Sequence, residues 1–311
     1  MHIPDGFLSP GVAATAWVVA ATAIAAALRA ERHEEAGIPA GILGSVAAFV
    51  FAAQLVNVPV AAGTSGHLVG ATLAAVLLGP WRALLAVAAV LAVQALLFQD
   101  GGILAYGANL CDMGLSGCFV GYAIARLLGR CVSGPRGIAA GAVLGAFARQ
   151  RRGVSVWLGL SGLYPLSGIL PVMLVTHVAI GLLEAALTGA ILVTLLRWRP
   201  DLVAGLNAGA DGRRPVVLAL GFLGVALAVA AFLAPFASRL PDGLETAAGT
   251  LGFASRAQAL WPGLGADFTM PWPRLAAVAP AIAGIIGTLV AAALAFAVGR
   301  RLQTVDDDAH R

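Results

Sequence analysis

A histidine at position 2 of a chain can chelate a metal ion with its own backbone. The α-amine of Met1, the amide nitrogen of His2 and the His2 imidazole Nδ1 are consecutive donors. Binding through them closes fused five- and six-membered rings, and three planar nitrogens leave one position open. His67, in the loop Gly63-Thr64-Ser65-Gly66-His67, is the candidate for that position if its loop reaches the same face of the molecule. A planar set of four nitrogens suits Ni(II) or Cu(II). Mg²⁺ and Ca²⁺ prefer oxygen ligands, Zn²⁺ a tetrahedron, and Cu(I) soft sulfur. Binding must release protons, because an amine of pKa about 8 and an imidazole of about 6.5 bind metal only when neutral. Removal of an initiator methionine needs a small second residue, so Met1 is expected to stay. The first basic side chain after His2 is Arg29, so no cleavable signal peptide is expected. Pro4 stiffens the segment and Asp5-Gly6 favours a tight turn, as in a terminus folded inward.

Further polar residues stand where they can serve such a site. Thr64 and Ser65 share the loop of His67, and Gln54 and Asn109 are candidates to orient its ring by hydrogen bonds. His177 and Glu184 lie seven apart, about two helical turns, so they share a face as relay residues or as polar packing. Asp112 falls inside an apolar run, where an ionisable group is a functional candidate by default. Cys111, Cys118 and Cys131 contain no CxxC and are expected to be buried and inert.

The elements that must position these groups are membrane helices. Of 311 residues 60% are hydrophobic and only 11% charged, against about 25% charged in a soluble domain. Such a chain cannot coat a water-facing surface. About nine apolar runs are legible, near 12–28, 38–60, 68–78, 81–98, 106–128, 137–168, 169–196, 216–236 and 281–298. The sixth is interrupted by Arg149-Gln150-Arg151-Arg152. All nineteen basic residues are Arg, clustered at run ends, and the net charge of +4 forms no nucleic-acid-binding patch. With the N-terminus outside, most Arg fall on the cytoplasmic side, as the positive-inside rule requires. The lack of Lys removes the residue a P-loop needs, so this chain is not expected to bind nucleotide. There is no His-Glu-x-x-His, which argues against an intramembrane metalloenzyme.

The opening Met1-His2-Ile3-Pro4-Asp5-Gly6-Phe7-Leu8-Ser9-Pro10 resembles that of the substrate-specific M components of nickel and cobalt energy-coupling-factor transporters, the NikM/CbiM family. Further matches are Phe51-Ala52-Ala53-Gln54, the Gly63–Leu68 loop, Leu78-Gly79-Pro80-Trp81, Gln94–Phe98, Asp100-Gly101-Gly102, Gly107-Ala108-Asn109, and His177 with Ile180-Gly181 and Glu184. The resemblance implies metal coordination by the Met1 amine, the His2 amide and imidazole, and His67. It also implies ATP hydrolysis in separate ABC ATPase (A/O) subunits, coupled through a separate transmembrane (T/Q) subunit. Leu240-Pro241-Asp242-Gly243-Leu244-Glu245 resembles the signature of the small N component, here fused, a fusion more typical of nickel than of cobalt systems. Cys111-Asp112 and the Arg149–Arg152 interruption depart from the family pattern.

The expectation is therefore an all-α polytopic protein of a bacterial or archaeal plasma membrane, with its N-terminus outside and inserted into the bundle. Residues 1–202 form the metal-binding domain, 203–215 a cytoplasmic linker, 216–302 a two-helix unit with an extracytoplasmic loop, and 303–311 a tail. Its expected role is capture of Ni²⁺ for ATP-driven uptake. The alternatives are the same role for Co²⁺, and an ion-coupled secondary carrier, which internal repeats would favour; no convincing repeat is present.

Overall fold

The computed structural model describes residues 2–31, 39–60, 63–132, 135–149, 153–198, 213–261, 263, 265–268 and 278–309. Most of the predicted linker lies outside these residues, as do Gln150–Arg152 and the last two residues of the tail. The described chain is almost wholly helical; its strands are a two-residue antiparallel pair, β1 (Val58–Pro59) and β2 (Ser65–Gly66).

Among the described residues, six helices are long and apolar enough to cross a membrane. They are α1 (Pro10–Glu31), α4 (Pro80–Phe98), α5 (Tyr106–Cys131), α8 (Leu166–Trp198), α9 (Val216–Phe236) and α11 (Ala279–Gln303). Their outward faces carry Val18, Leu127, Val175, Leu220 and Phe232, the surface a lipid-facing bundle needs.

The remaining three of the nine runs fold as shorter helices. The second is α2 (Ala40–Gln54), fifteen residues with thirteen buried. At 1.5 Å per residue it covers about 22 Å, short of a ~30 Å hydrocarbon core. It is apolar because it sits inside the bundle: Phe49 meets Phe222 of α9 edge-on, and Phe51 meets Phe98 of α4. The third is α3 (Ala71–Leu78), eight residues, all buried. A left-handed Gly70 opens it, and Gly79, also at positive φ, turns the chain into α4 with Pro80 at its first position. The sixth divides into α6 (Pro135–Arg149) and α7 (Gly153–Leu160) on either side of the Arg-rich stretch.

Two apolar cores result. The larger joins α2, α3, α4 and α5 with the C-terminal helices α9 and α11. The smaller gathers Ile3, Phe7 and Leu8 with Val154, Leu158, Ile169 and Met173, and with Leu244 and Ala247 of α10 (Gly243–Thr250). The N-terminal segment thus has a core of its own, built by α7, α8 and the C-terminal unit. An Arg82–Glu31 ion pair joins the end of α1 to the start of α4. Cys118 is buried as expected, but Cys131 is exposed, because α5 ends there.

Candidate metal centre

The centre is built from the N-terminal decapeptide outward. Asp5 supplies the strongest fastening. Its carboxylate accepts from the backbone N–H groups of Ile103 (3.0 Å), Leu104 (2.8 Å) and Ala105 (3.1 Å), just ahead of α5. These are donors a helix start leaves unsatisfied, and a carboxylate suits the positive end of the helix dipole. The sequence signal at Asp5 was a turn; its longer-range work is to cap a helix about a hundred residues away. Asn109 then grips Ile3 at both ends: Ile3 N–H donates to Oδ1 (2.7 Å) and Nδ2 donates to the Ile3 carbonyl (3.0 Å). Gly102 N–H donates to the same carbonyl (2.9 Å). Phe7 lies edge-on to Tyr164 and Phe253, and Gln258 N–H donates to the Asp5 carbonyl.

This fastening buries His2 at the bundle end where the His67 loop arrives. The two imidazoles stack with ring centroids 5.9 Å apart and planes 12° apart. Metal–nitrogen bonds are about 2 Å long, so two imidazoles sharing one ion have centroids roughly 4.5 Å apart at adjacent positions and roughly 6 Å apart at opposite ones. His2 Nδ1 meets Asp100 Oδ1 at 2.8 Å, and His2 Nε2 is buried with no hydrogen-bond partner among the described residues. Met1 lies outside the described residues.

Burial lowers the His67 pKa well below 6.5, helped by positive charge at the N-terminus and His2, so its ring is neutral at pH 7 and ready to donate a lone pair. Burial pushes Asp100 up, but the adjacent His2 and their hydrogen bond outweigh it and bring the carboxyl down to about 2. Among the described residues no three His, Cys, Asp or Glu side chains cluster to hold an ion. A cavity of about 480 Å³ opens beside His2, lined by Asp100, Gly101, Asp242, Glu245, Gln258 and Trp261 among others.

The other candidate residues divide. Gln54 lies near the site but acts on the backbone: its Nε2 donates to the Val69 carbonyl (2.8 Å), and its Oε1 accepts from Gln94 Nε2 (2.8 Å). Asn109 holds Ile3, so it positions the His2 end of the site. The Thr64 carbonyl accepts from Val60 N–H (2.8 Å). Ser65 ties the loop to the C-terminal unit, its N–H donating to the Pro241 carbonyl (2.9 Å) and its Oγ to the Leu240 carbonyl (2.7 Å). His177 bonds through Nδ1 to the Met173 carbonyl in its own helix (2.5 Å). Glu184 accepts from Gly70 N–H (3.4 Å). Asp112 packs against Gly153, the first residue of α7. Asp242 and Glu245 form a capping box that starts α10. Asp100 was legible only as part of a Gly-rich turn; an acidic residue in an Arg-free loop was its one signal.

A multi-span helical bundle that folds its N-terminus inward and brings two buried imidazoles together defines a class: membrane carriers of a transition-metal ion. Residues 2–202 match the family described as CbiM, cobalt uptake substrate-specific transmembrane region, and the chain belongs to it. A protein of Archaeoglobus fulgidus named "Putative fused nickel transport protein NikMN" is 35% identical over 98% of this chain and 100% of its own. A cobalt transport protein, CbiM, of Geobacter sulfurreducens is 34% identical over 74% of this chain and 71% of its own. A crystal structure of a truncated transition metal transporter superposes with a TM-score of 0.55 at 36% identity, covering 64% of this chain and 99% of the other. The protein is thus the multi-pass, substrate-specific component of a prokaryotic nickel/cobalt uptake transporter of the energy-coupling-factor type, and not an enzyme.

Proposed function

We propose that this chain captures Ni²⁺ in a planar four-nitrogen site made by the Met1 amine, the His2 amide nitrogen, the His2 imidazole and the His67 imidazole. One observation carries the reading. Two imidazoles 65 positions apart in sequence are buried side by side, nearly parallel, and a shift of about 1–2 Å brings them to adjacent positions on one ion. Two rings are too few to hold an ion, and among the described residues no group of three His, Cys, Asp or Glu side chains is placed to hold one, although Asp100 adjoins His2. Main-chain nitrogens next to His2 supply the remainder. Chelation passes His2 Nδ1 from Asp100 to the cation, and protons leave to solvent from the Met1 ammonium and from the His2 amide N–H, whose nitrogen binds in its deprotonated form. The Asp100 carboxylate then stays nearby as counter-charge.

Nickel is favoured over cobalt by the C-terminal unit. The relative matched end to end, across residues 216–302 as well as 1–202, carries the name of a fused nickel transport protein. That unit's loop ends on the site, through Ser65 and Asp5. The bundle end holding His2 and His67 faces outward and the Arg-rich ends face the cytoplasm, in keeping with the positive-inside rule. A transmembrane coupling subunit and cytoplasmic ATPases complete the transporter.

X-ray absorption at the nickel edge of the loaded protein tests the donor set: four nitrogen neighbours are expected, and a shell of oxygens or sulfurs rules the site out. In competitive uptake by cells, Ni²⁺ is expected to displace Co²⁺ rather than the reverse. Uptake is expected to stop when the ATPase genes are deleted; uptake that continues would favour a secondary carrier.

The fastening of the N-terminus makes its own prediction. Hydrogen bonds to a charged group contribute about 1.5–3 kcal/mol each, and the three on Asp5 are not additive. Asp5→Ala is expected to loosen the docked segment by about 3 kcal/mol. The chelating residues must then be ordered when metal binds, which weakens Ni²⁺ affinity on the order of a hundredfold. Titration calorimetry reads this directly, and an Asp5→Ala protein that binds like wild type contradicts it.

A further inference from the structure

His2 and His67 hang from different supports. His2 is fixed by the decapeptide's bonds to Asp100, Gly102 and Asn109 around the start of α5. His67 rides on the segment between β2 and α3, and that segment is gripped by α8. Ile180 and Glu184 stand one turn apart on α8, and they touch Gly66 and Gly70, which flank His67. A Cβ on Gly66 would lie 2.8 Å from Ile180 Cγ1, so only glycine lets the segment rest on that side chain. Gly70, left-handed at φ 74, points its N–H at Glu184 Oε1 (3.4 Å). From the other side Gln54, itself held by Gln94, fixes the Val69 carbonyl.

Glu184 is fully buried in a membrane-spanning helix. A carboxylate there costs several kcal/mol unless it is tied to donors, so its position marks a function. We infer that Glu184 is a positioning residue of the metal centre: it holds the Gly70 backbone and, with Ile180 against Gly66, sets where the His67 ring meets the plane of the N-terminal chelate. This rests on the reading of His67 as a ligand. A ring displaced by a fraction of an ångström leaves the fourth planar position poorly filled while the fold survives.

The test is Ni²⁺ titration of the full chain in detergent, read by calorimetry and by the visible band of the planar ion. Glu184→Ala is expected to weaken binding roughly ten- to hundredfold and to shift the band, as loss of an outer-shell partner does. Glu184→Gln keeps an acceptor for Gly70 and is expected to return affinity to within about threefold of wild type. His67→Ala is the control: if it binds like wild type, the ligand assignment itself fails. If His67→Ala has lost binding while Glu184→Ala keeps wild-type affinity and spectrum, only the positioning role is overturned. Should Glu184→Ala not fold, a second pair decides. Gly66→Ala pushes the segment off Ile180 and is expected to weaken binding; adding Ile180→Ala makes room and is expected to restore it. An unweakened single variant, or a double variant that recovers nothing, overturns the inference.

Discussion

Extending the chain by several residues ahead of Met1 is expected to abolish tight Ni²⁺ binding, with a loss of more than about a hundredfold, beyond what outer-shell changes produce. The reason is ring size. An amine followed directly by an amide and its own imidazole closes one five-membered and one six-membered ring, and all three nitrogens lie in the plane that Ni(II) favours. A long extension turns the Met1 amine into an ordinary amide, a far weaker ligand near neutral pH. The docking of the following segment does not depend on that amine, because Asp5, Asn109 and Phe7 hold it by their own contacts. The extended protein should therefore fold with unchanged melting behaviour and fail only in calorimetry. A single glycine placed between Met1 and His2 makes the sharper comparison. It creates an amine–amide–amide–imidazole set that fills all four planar positions from the terminus alone. Binding should then survive but become indifferent to His67. Wild-type affinity in the long extension would remove the N-terminal chelate from consideration.

His67→Ala in the natural chain is expected to cost a comparable factor, again above about a hundredfold. His67 is the one proposed donor that does not come from the terminus, so nothing local replaces it. Because burial already keeps its ring neutral, the substitution strands no charge and should destabilise the fold by only about 1–2 kcal/mol. Calorimetry should show lost binding beside a thermal transition within a few degrees of wild type. Retained tight binding would mean that the fourth ligand lies elsewhere, and Asp100, in contact with His2, would be the first residue to examine.

Much of this was legible in the sequence, for reasons particular to each residue. The chelating power of His2 is a covalent property of adjacent atoms and needs no fold. The membrane class follows from 60% hydrophobic and 11% charged residues, since no packing can hide that much apolar surface from water. His67 stood out as the candidate for the fourth position because it is the histidine of a Gly-rich, Arg-free loop that the charge pattern puts on the same side as the N-terminus. Hydropathy by itself does not separate a spanning helix from a short one sealed inside the bundle, because both are equally apolar. Thirteen buried residues of fifteen make α2 read like a span that its length does not allow.

Tertiary structure alone decided which residues surround the proposed metal centre. Asp100 became a partner of His2 only when two loops met. Asp5 became a helix cap because α5 begins where the terminus docks, and Asn109 grips Ile3 across 106 positions. Glu184 acquired its bond to Gly70 because α8 passes beneath the His67 segment. Sequence specifies which atoms can bind a cation when those atoms are covalent neighbours. The orientation of those atoms depends on hydrogen bonds between segments a hundred residues apart, and only the packed bundle brings those segments together.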